Sequence, residues 1–365
     1  MVNAREETGE LGRGETRPGG PGPSRAGPDE GGPDRAGRAG SGPAGAGPAG
    51  TGDRVRQVGW LSLLVVWVLW GSTYFAIRVG VETLPPLLMA GIRYVVAGLL
   101  MFPFAIRSGG PELRSADRPR AAGWWSALLV GALLLAGGNG GVSVGERSVP
   151  SGLAALLVAT VPLWLIIIDR VFNGARIGLL ALGGLVAGVI GVGFLAGPFG
   201  SSTGHAAAGH GGTGGSPGVG IVIILIASVS WASGTIASRR VPLPSRPLLA
   251  TSMQMLAGGA VLLAAAAVTG EFGQFDPAHV SAASWLALAY LIGPGSIIAF
   301  SAYVVAVRRL PTATVATYAY VNPIIAVILG TSLLGEALTA SMLVGGALIV
   351  VAVVLVVRSH AAARR

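Results

Sequence analysis

From Trp60 onward the chain alternates long apolar runs with short polar breaks. A helix needs about 20 mostly apolar residues to cross roughly 30 Å of hydrocarbon. Ten runs approach that length: Trp60 to Val79, Pro85 to Ile106, Gly123 to Val144, Val149 to Ile168, Arg176 to Gly197, Gly218 to Ser238, Pro247 to Thr269, Ala283 to Val307, Pro311 to Leu334 and Leu338 to Val357. The pattern predicts an all-α polytopic membrane protein with ten transmembrane helices. Residues 1–56 lie outside it. Gly, Pro, Ala, Arg and Glu dominate there, too few large apolar side chains to offset the entropy of ordering, so a disordered cytoplasmic tail is expected. That tail lacks the short apolar stretch of a secretory signal, and the segment near Trp60 is read as retained. Residues 199–217 form a second Gly/His-rich break, expected to be an extracytoplasmic linker. The five-helix blocks are then 57–198 and 218–358, with a basic cytoplasmic end at 359–365.

Composition strengthens the membrane reading: 52% of residues are hydrophobic and 11% charged, against about 25% charged in soluble domains. A net charge of +9 would suit nucleic acid only if it were gathered on one face, but all 25 basic residues are Arg, scattered between the apolar runs. Eight Arg in residues 1–56 are offset by eight acids. The other Arg follow the rule that cytoplasmic loops carry positive charge. With the amino terminus inside, the inner segments hold Arg54 and Arg56, the Arg107–Arg120 group, Arg170 and Arg176, Arg239, Arg240 and Arg246, Arg308 and Arg309, and Arg358, Arg364 and Arg365. The outer ones hold only Arg78 and Arg147. This predicts a plasma-membrane protein with both termini cytoplasmic. Without cysteine there is no disulfide, thiolate metal site or Cys nucleophile.

The chain also repeats itself. A shift of 161 residues superposes Trp70 on Trp231, Ser72 on Ser233, Arg78 on Arg239, Pro86-Leu87-Leu88 on Pro247-Leu248-Leu249, Gly98 on Gly259, Trp124 on Trp285, Pro150 on Pro311, Pro162 on Pro323, Gly174 on Gly335 and Gly184 on Gly345. Each copy has five helices, an odd number, so the second enters the membrane from the opposite side. Inverted repeats of this kind allow a central site to face either side in turn.

The stretches LWGSTYFAIRVGVETLPPLLMAGIRYVVAGLLM, GGNGGVSVGERSVPSGLAALLVATVPLWLIIIDRVF and RRLPTATVATYAYVNPIIAVILGTSLLGEALTASMLVGGALIVV resemble the EamA family of the drug/metabolite transporter superfamily. The resemblance covers about Trp60 to Val357. It implies two inverted modules around a central cavity and secondary export of metabolites, amino acids or drugs, without an ATP-binding domain and without a cofactor. The chain has no Lys, so it cannot supply the lysine of a phosphate loop. An importer, a carrier of larger metabolites and a non-transporting membrane scaffold stay open as alternatives, and no catalytic group set is visible. Its partners are expected to be a small-molecule substrate and the lipid bilayer; oligomeric state is not legible.

Candidate chemistry follows from what is costly in a bilayer. Arg93 lies eight residues beyond Pro85, about 12 Å along a helix and therefore near mid-membrane. It either holds a substrate carboxylate or locks helix-end carbonyls. Its repeat partner is Gln254. Pro162 and Pro323, at matching midpoints, are expected to kink the fourth and ninth helices as gating elements. Thr160, Trp164, Tyr318, Tyr320 and Asn322 beside them become cavity candidates, together with Trp70, Ser72, Thr73 and Tyr74, their echo Trp231, and Asn139 in AGGNGG. Trp60, Trp124, Trp125 and Trp285 read as interfacial anchors. Glu146 and Glu336, at helix ends, are coupling candidates or helix caps. His205 and His210 sit in the Gly-rich linker without a carboxylate nearby, and no metal site is expected.

Overall fold

The computed structural model describes residues 49–108, 110–111, 117–174, 178–196 and 216–362, so the tail to residue 48 and the histidine-bearing part of the linker lie outside the described residues. Every regular element among the described residues is helical. In chain order the elements of the first half are α1 (Ala49–Gly80), α2 (Pro86–Arg107), α3 (Ala121–Gly145), α4 (Ser151–Val158), α5 (Val161–Asn173) and α6 (Leu179–Ala196). Those of the second are α7 (Pro217–Ala237), α8 (Pro247–Val268), the one-turn α9 (Glu271–Gln274), α10 (Ala282–Arg309), α11 (Thr312–Val315), α12 (Tyr318–Leu333) and α13 (Ala340–Ala362).

Eight helical segments are long and apolar enough to cross a membrane, with α4 and α5 together forming one of them. Two shorter apolar helices, Tyr318–Leu333 and Ala340–Val356, occupy the places of the ninth and tenth predicted spans. The 16 residues of α12 reach about 24 Å at 1.5 Å per residue, less than a hydrocarbon core. The outward surface is apolar: Phe104 is 79% exposed, Leu286 71% and Val189 65%. Side chains of this kind belong in lipid.

The two halves pack on each other by exchange of equivalent contacts. A Cβ added at Gly98 would lie 2.8 Å from Leu256 Cγ, and one at Gly259 would lie 2.8 Å from Val95 Cγ2. The 161-residue shift turns each of these contacts into the other. Between α6 and α13, a Cβ added at Gly184 would lie 2.8 Å from the Ala352 carbonyl oxygen, and one at Gly345 would lie 2.8 Å from that of Gly191. In both pairs the contact partner moves backward as the residue number rises, so equivalent helices run antiparallel. Glycine is needed here because backbone meets side chain or backbone with no room for a Cβ. The first helices complete the exchange: α1 packs on α10 and α12, and α7 on α3, α4 and α5.

Acids from one half hold helix ends of the other. Glu271 Oε2 accepts the Leu88 N–H at 2.8 Å, in the first turn of α2. Asp117 accepts the N–H groups of Ser245 and Arg246, both at 2.9 Å, at the start of α8. Burial pushes the Asp117 carboxyl up, but those two N–H groups and the Arg246 guanidinium outweigh it and hold the group below its ordinary value.

Three features differ from the sequence expectation. Helix α1 begins at Ala49, inside the stretch assigned to the disordered tail, because a helix anchored by an apolar span extends at little further cost. Pro162 does not kink a continuous helix: Ala159 and Thr160 end α4, and Pro162 sits in the first turn of α5, where its missing N–H costs nothing. Pro323 stays inside α12, the break falling earlier at Ala316 and Thr317. The third feature has no counterpart in the sequence reading. Both α3 and α10 contain π-helical segments, Ala132–Gly140 and Gly293–Ile298, which begin at positions related by the same shift.

Candidate functional site

Residues Leu63, Trp67, Trp70, Tyr74 and Arg78 recur at intervals of three and four along α1 and so form one stripe. At its lower end Leu63 is buried with Ala306, Leu310 and Val315, and Trp67 and Tyr303 pack against them. One turn further, Trp70 meets three rings: Phe300 at 5.2 Å, Tyr303 at 5.2 Å and Tyr318 at 5.3 Å between centroids. Tyr303 and Tyr318 touch each other edge-on at 6.0 Å. The four rings come from α1, α10 and α12, so the box exists only because the first helix of one half packs into the other half. Next along α1, Gly71 lies against Ile325 and the Asn322 carbonyl of α12. Tyr74 then touches two core clusters at once.

Arg78 closes the stripe. Its Nη1 donates to the Glu146 backbone carbonyl at 2.8 Å and more loosely to that of Arg147 at 3.5 Å, capping the end of α3. The Glu146 side chain is fully buried, and neither carboxylate oxygen has a hydrogen-bond partner. Burial raises its pKa well above the ordinary value, the charge of Glu336 adds to this, and Arg78 and Arg93 oppose it. Trp67 Nε1 and Asn322 Oδ1 are buried without partners as well. An unmade buried hydrogen bond costs about 1–3 kcal/mol. Three such residues therefore lie along or beside one helix stripe.

Other predicted residues are occupied in other ways. Arg93 is buried, with Nε donating to Ser296 Oγ at 2.9 Å and Nη2 reaching the Gly295 carbonyl at 3.5 Å, both in the π-segment of α10. Its guanidinium also lies 4.7 Å from the Tyr94 ring centre. Gln254 is half-buried on α8, in the turn whose carbonyl faces Gly131. Ser72 Oγ is 2.6 Å from Tyr290 Oη, on the side of α1 that faces α10. Glu336 accepts the N–H groups of Ser151 at 2.7 Å and Gly152 at 3.1 Å, across the start of α4. Trp164 Nε1 donates to Thr160 Oγ1 at 3.1 Å and Thr160 to the Leu157 carbonyl at 2.6 Å, a closed local chain. Tyr320 is half-buried against the cluster around Leu153 and Leu157. Trp231 lies over Gly138, next to Asn139, in the π-segment of α3.

The sequence reading missed Phe300, Tyr303 and Trp67, and took Arg78 for a loop charge. Aligned by the repeat, Phe300, Tyr303 and Tyr318 stand opposite Asn139, Val142 and Leu157. Those mismatches, rather than the matches, were the signal. Among the described residues no group of three or more His, Cys, Asp or Glu could hold a metal ion.

A family model described as the EamA-like transporter family matches residues 57–197 and again 218–358. An uncharacterized inner membrane transporter of Escherichia coli strain K12, YedA, is 41% identical over 296 residues, which is 81% of this chain and 89% of that protein. A probable amino-acid metabolite efflux pump of Salmonella typhimurium strain LT2 is 26% identical over 80% of this chain and 92% of its own length. A solved crystal structure superposes with a TM-score of 0.53 at 20% identity, covering 86% of this chain and 99% of the other. That likeness concerns the fold alone.

Proposed function

The chain belongs to the EamA-like transporter family and is a multi-pass plasma-membrane transporter rather than an enzyme, and from that premise we propose that it is a ten-span secondary exporter of small organic metabolites, working by alternating access. In this reading α12 and α13 complete the ten spans and both termini are cytoplasmic. The observation that carries it is the exchange of contacts between antiparallel equivalent helices, Gly98 to Leu256 against Gly259 to Val95. A symmetric contact of this kind between inverted halves is an axis about which they can rock toward either side, which is what exposure of one site to either side requires.

The substrate path follows the α1 stripe. At one end a shallow hollow is lined by Arg56, Gln57, Trp60, Arg309 and Thr314. The Leu63, Leu310 and Val315 plug separates this hollow from the ring box around Trp70. Four aromatic faces with no formal charge among them suit a flat apolar group or an organic cation. Beyond Arg56 and Arg309 at the hollow, Arg93 is engaged with Ser296 and Gly295 and there is no Lys, so a multiply charged phosphate finds little to bind within the ring box. Aromatic amino acids and their amine derivatives fit best, in keeping with what the Salmonella relative is named for.

Purified full-length protein in proteoliposomes, offered pooled amino acids, aromatic amines and cationic dyes with and without a pH gradient, tests this. Uptake of an aromatic compound, with competition among members of the class, is expected. Vesicles that accumulate nothing above protein-free controls would overturn this substrate class.

A further inference from the structure

The stripe on α1 ends at a carboxyl group that no part of the substrate box explains. Glu146 follows the last residue of α3, and its side chain has no exposed surface. Three elements and one loop set its electrostatic and packing surroundings. Helix α1 contributes Arg78 and Tyr74, and α2 contributes Arg93. The loop after α12 brings Glu336, and α7 packs the end of α3 with Ile224 and Ala227 while carrying no titratable residue. Arg78 does not pair with the acid: its Nη1 donates to the Glu146 and Arg147 backbone carbonyls, and neither carboxylate oxygen of Glu146 receives a hydrogen bond. Glu336 is committed to the start of α4. A buried anion with neither an ion pair nor a hydrogen bond is far more costly than the neutral acid. The geometry is therefore that of a carboxylic acid.

We infer that Glu146 is a proton-binding site that couples transport, holding a proton while this end of the bundle is closed and releasing it to water when the end opens. The inference rests on the transporter reading above. The step is a simple dissociation, in which the carboxyl O–H bond breaks, the proton leaves to solvent and the electron pair stays as carboxylate. The resulting anion draws Arg78 off the α3 carbonyls, so proton loss is felt at the joint between α1 and α3. Because Arg78 lies two turns beyond Trp70 on the same stripe, this joint and the substrate box share one helix.

Two measurements on the full chain in lipid test the inference. The first needs no substrate: infrared difference spectra between about pH 5 and about pH 9 are expected to show a protonated carboxyl band persisting at neutral pH in the wild type and absent in Glu146→Gln. The second uses whichever compound from the pooled screen is carried. Glu146→Gln is expected to lose pH-gradient-driven accumulation at least ~10-fold, which is about 1.4 kcal/mol of driving force, while keeping exchange of labelled for unlabelled substrate. Retained exchange also certifies that the variant is folded. Should Glu146→Gln fail to fold, Glu146→Asp decides: it is expected to keep gradient dependence with a shifted pH profile, and an unshifted profile overturns the site. Gradient-driven accumulation by Glu146→Gln at the wild-type level overturns the inference, as does a missing acid band at neutral pH. A chain that moves no compound sinks the transporter reading and coupling with it, but the infrared band still reports whether Glu146 binds the proton.

Discussion

Helix α1 and helix α7 are related by the repeat, and Trp70, Tyr74 and Arg78 of the first stand opposite Trp231, Thr235 and Arg239 of the second. On α1 the tryptophan enters a box of three further rings, and the arginine is turned inward to the end of α3. On α7 the same positions build no such box, although the Arg239 charge acts on Tyr303. Trp231 lies over the bare backbone of Gly138, Thr235 returns its hydroxyl to the Trp231 carbonyl at 2.9 Å, and Arg239 is exposed. Ser228, opposite Trp67, bonds the Ile224 carbonyl at 2.9 Å, whereas Trp67 Nε1 has no partner. The comparison separates two jobs that a duplicated gene starts by sharing. The frame of glycine contacts stays symmetric, while the box of four rings is built around α1 and has no counterpart around α7.

The largest expected break in that comparison comes from the paired tryptophans. Trp70→Ala removes three ring contacts, each worth about 0.5–1.5 kcal/mol beyond area, and is expected to lower transport of an aromatic substrate by roughly 10- to 100-fold. Trp231→Ala leaves the box intact and is expected to act on thermal stability instead, with substrate affinity within about threefold of wild type. Measured in the same vesicles, equal losses of affinity for the two variants would place the substrate between Trp70 and Trp231 rather than in the ring box.

A second break, read in stability rather than in transport, is expected from the paired arginines. Arg78→Gln removes the charged donor that caps α3 and is expected to cost about 1.5–3 kcal/mol of stability. Arg239→Gln touches an exposed side chain, and such changes stay within about 0.5 kcal/mol. Melting curves in detergent read the difference. Similar shifts for the two would mean that the inward turn of Arg78 contributes nothing to holding α3.

These asymmetries were the part of the molecule hardest to read from sequence. The spans were legible because runs of about 20 apolar residues have few other uses, and the repeat was legible because Trp, Arg and Pro pairs recur at one offset. Break positions in the fourth and ninth helices were not. They depend on where freed carbonyls find donors: the Leu157 carbonyl receives Thr160 Oγ1 at 2.6 Å, whereas Pro323 rides inside a continuous helix. The π-segments were invisible for the same reason. Ser230 Oγ donates to the Leu133 carbonyl at 2.8 Å and Arg93 approaches that of Gly295, so each bulge is met by a side chain from another helix. The ring box needed the neighbourhood of α1, α10 and α12, which spacing along any one helix does not contain. Glu146 was visible as a charge at a helix end, but its burial was not, because that depends on Arg78 choosing a carbonyl over the carboxylate.

The smallest predicted effect tests the symmetric frame itself. Gly174 and Gly335 are repeat partners, and both hold the left-handed conformation at φ 65°. At both positions a Cβ would meet nothing within 4 Å, so an alanine there is penalised by backbone strain and not by a clash. The left-handed region costs a non-glycine residue about 1–2 kcal/mol. Gly174→Ala and Gly335→Ala are therefore each expected to lower stability by about 1 kcal/mol, equally, and with transport kinetics unchanged. If only one of the pair were destabilised, the halves would differ in their frame as well as in their chemistry. If either slowed transport without loss of stability, the turn after the helix would belong to the moving parts, and the division between a symmetric scaffold and a one-sided path would have to be redrawn.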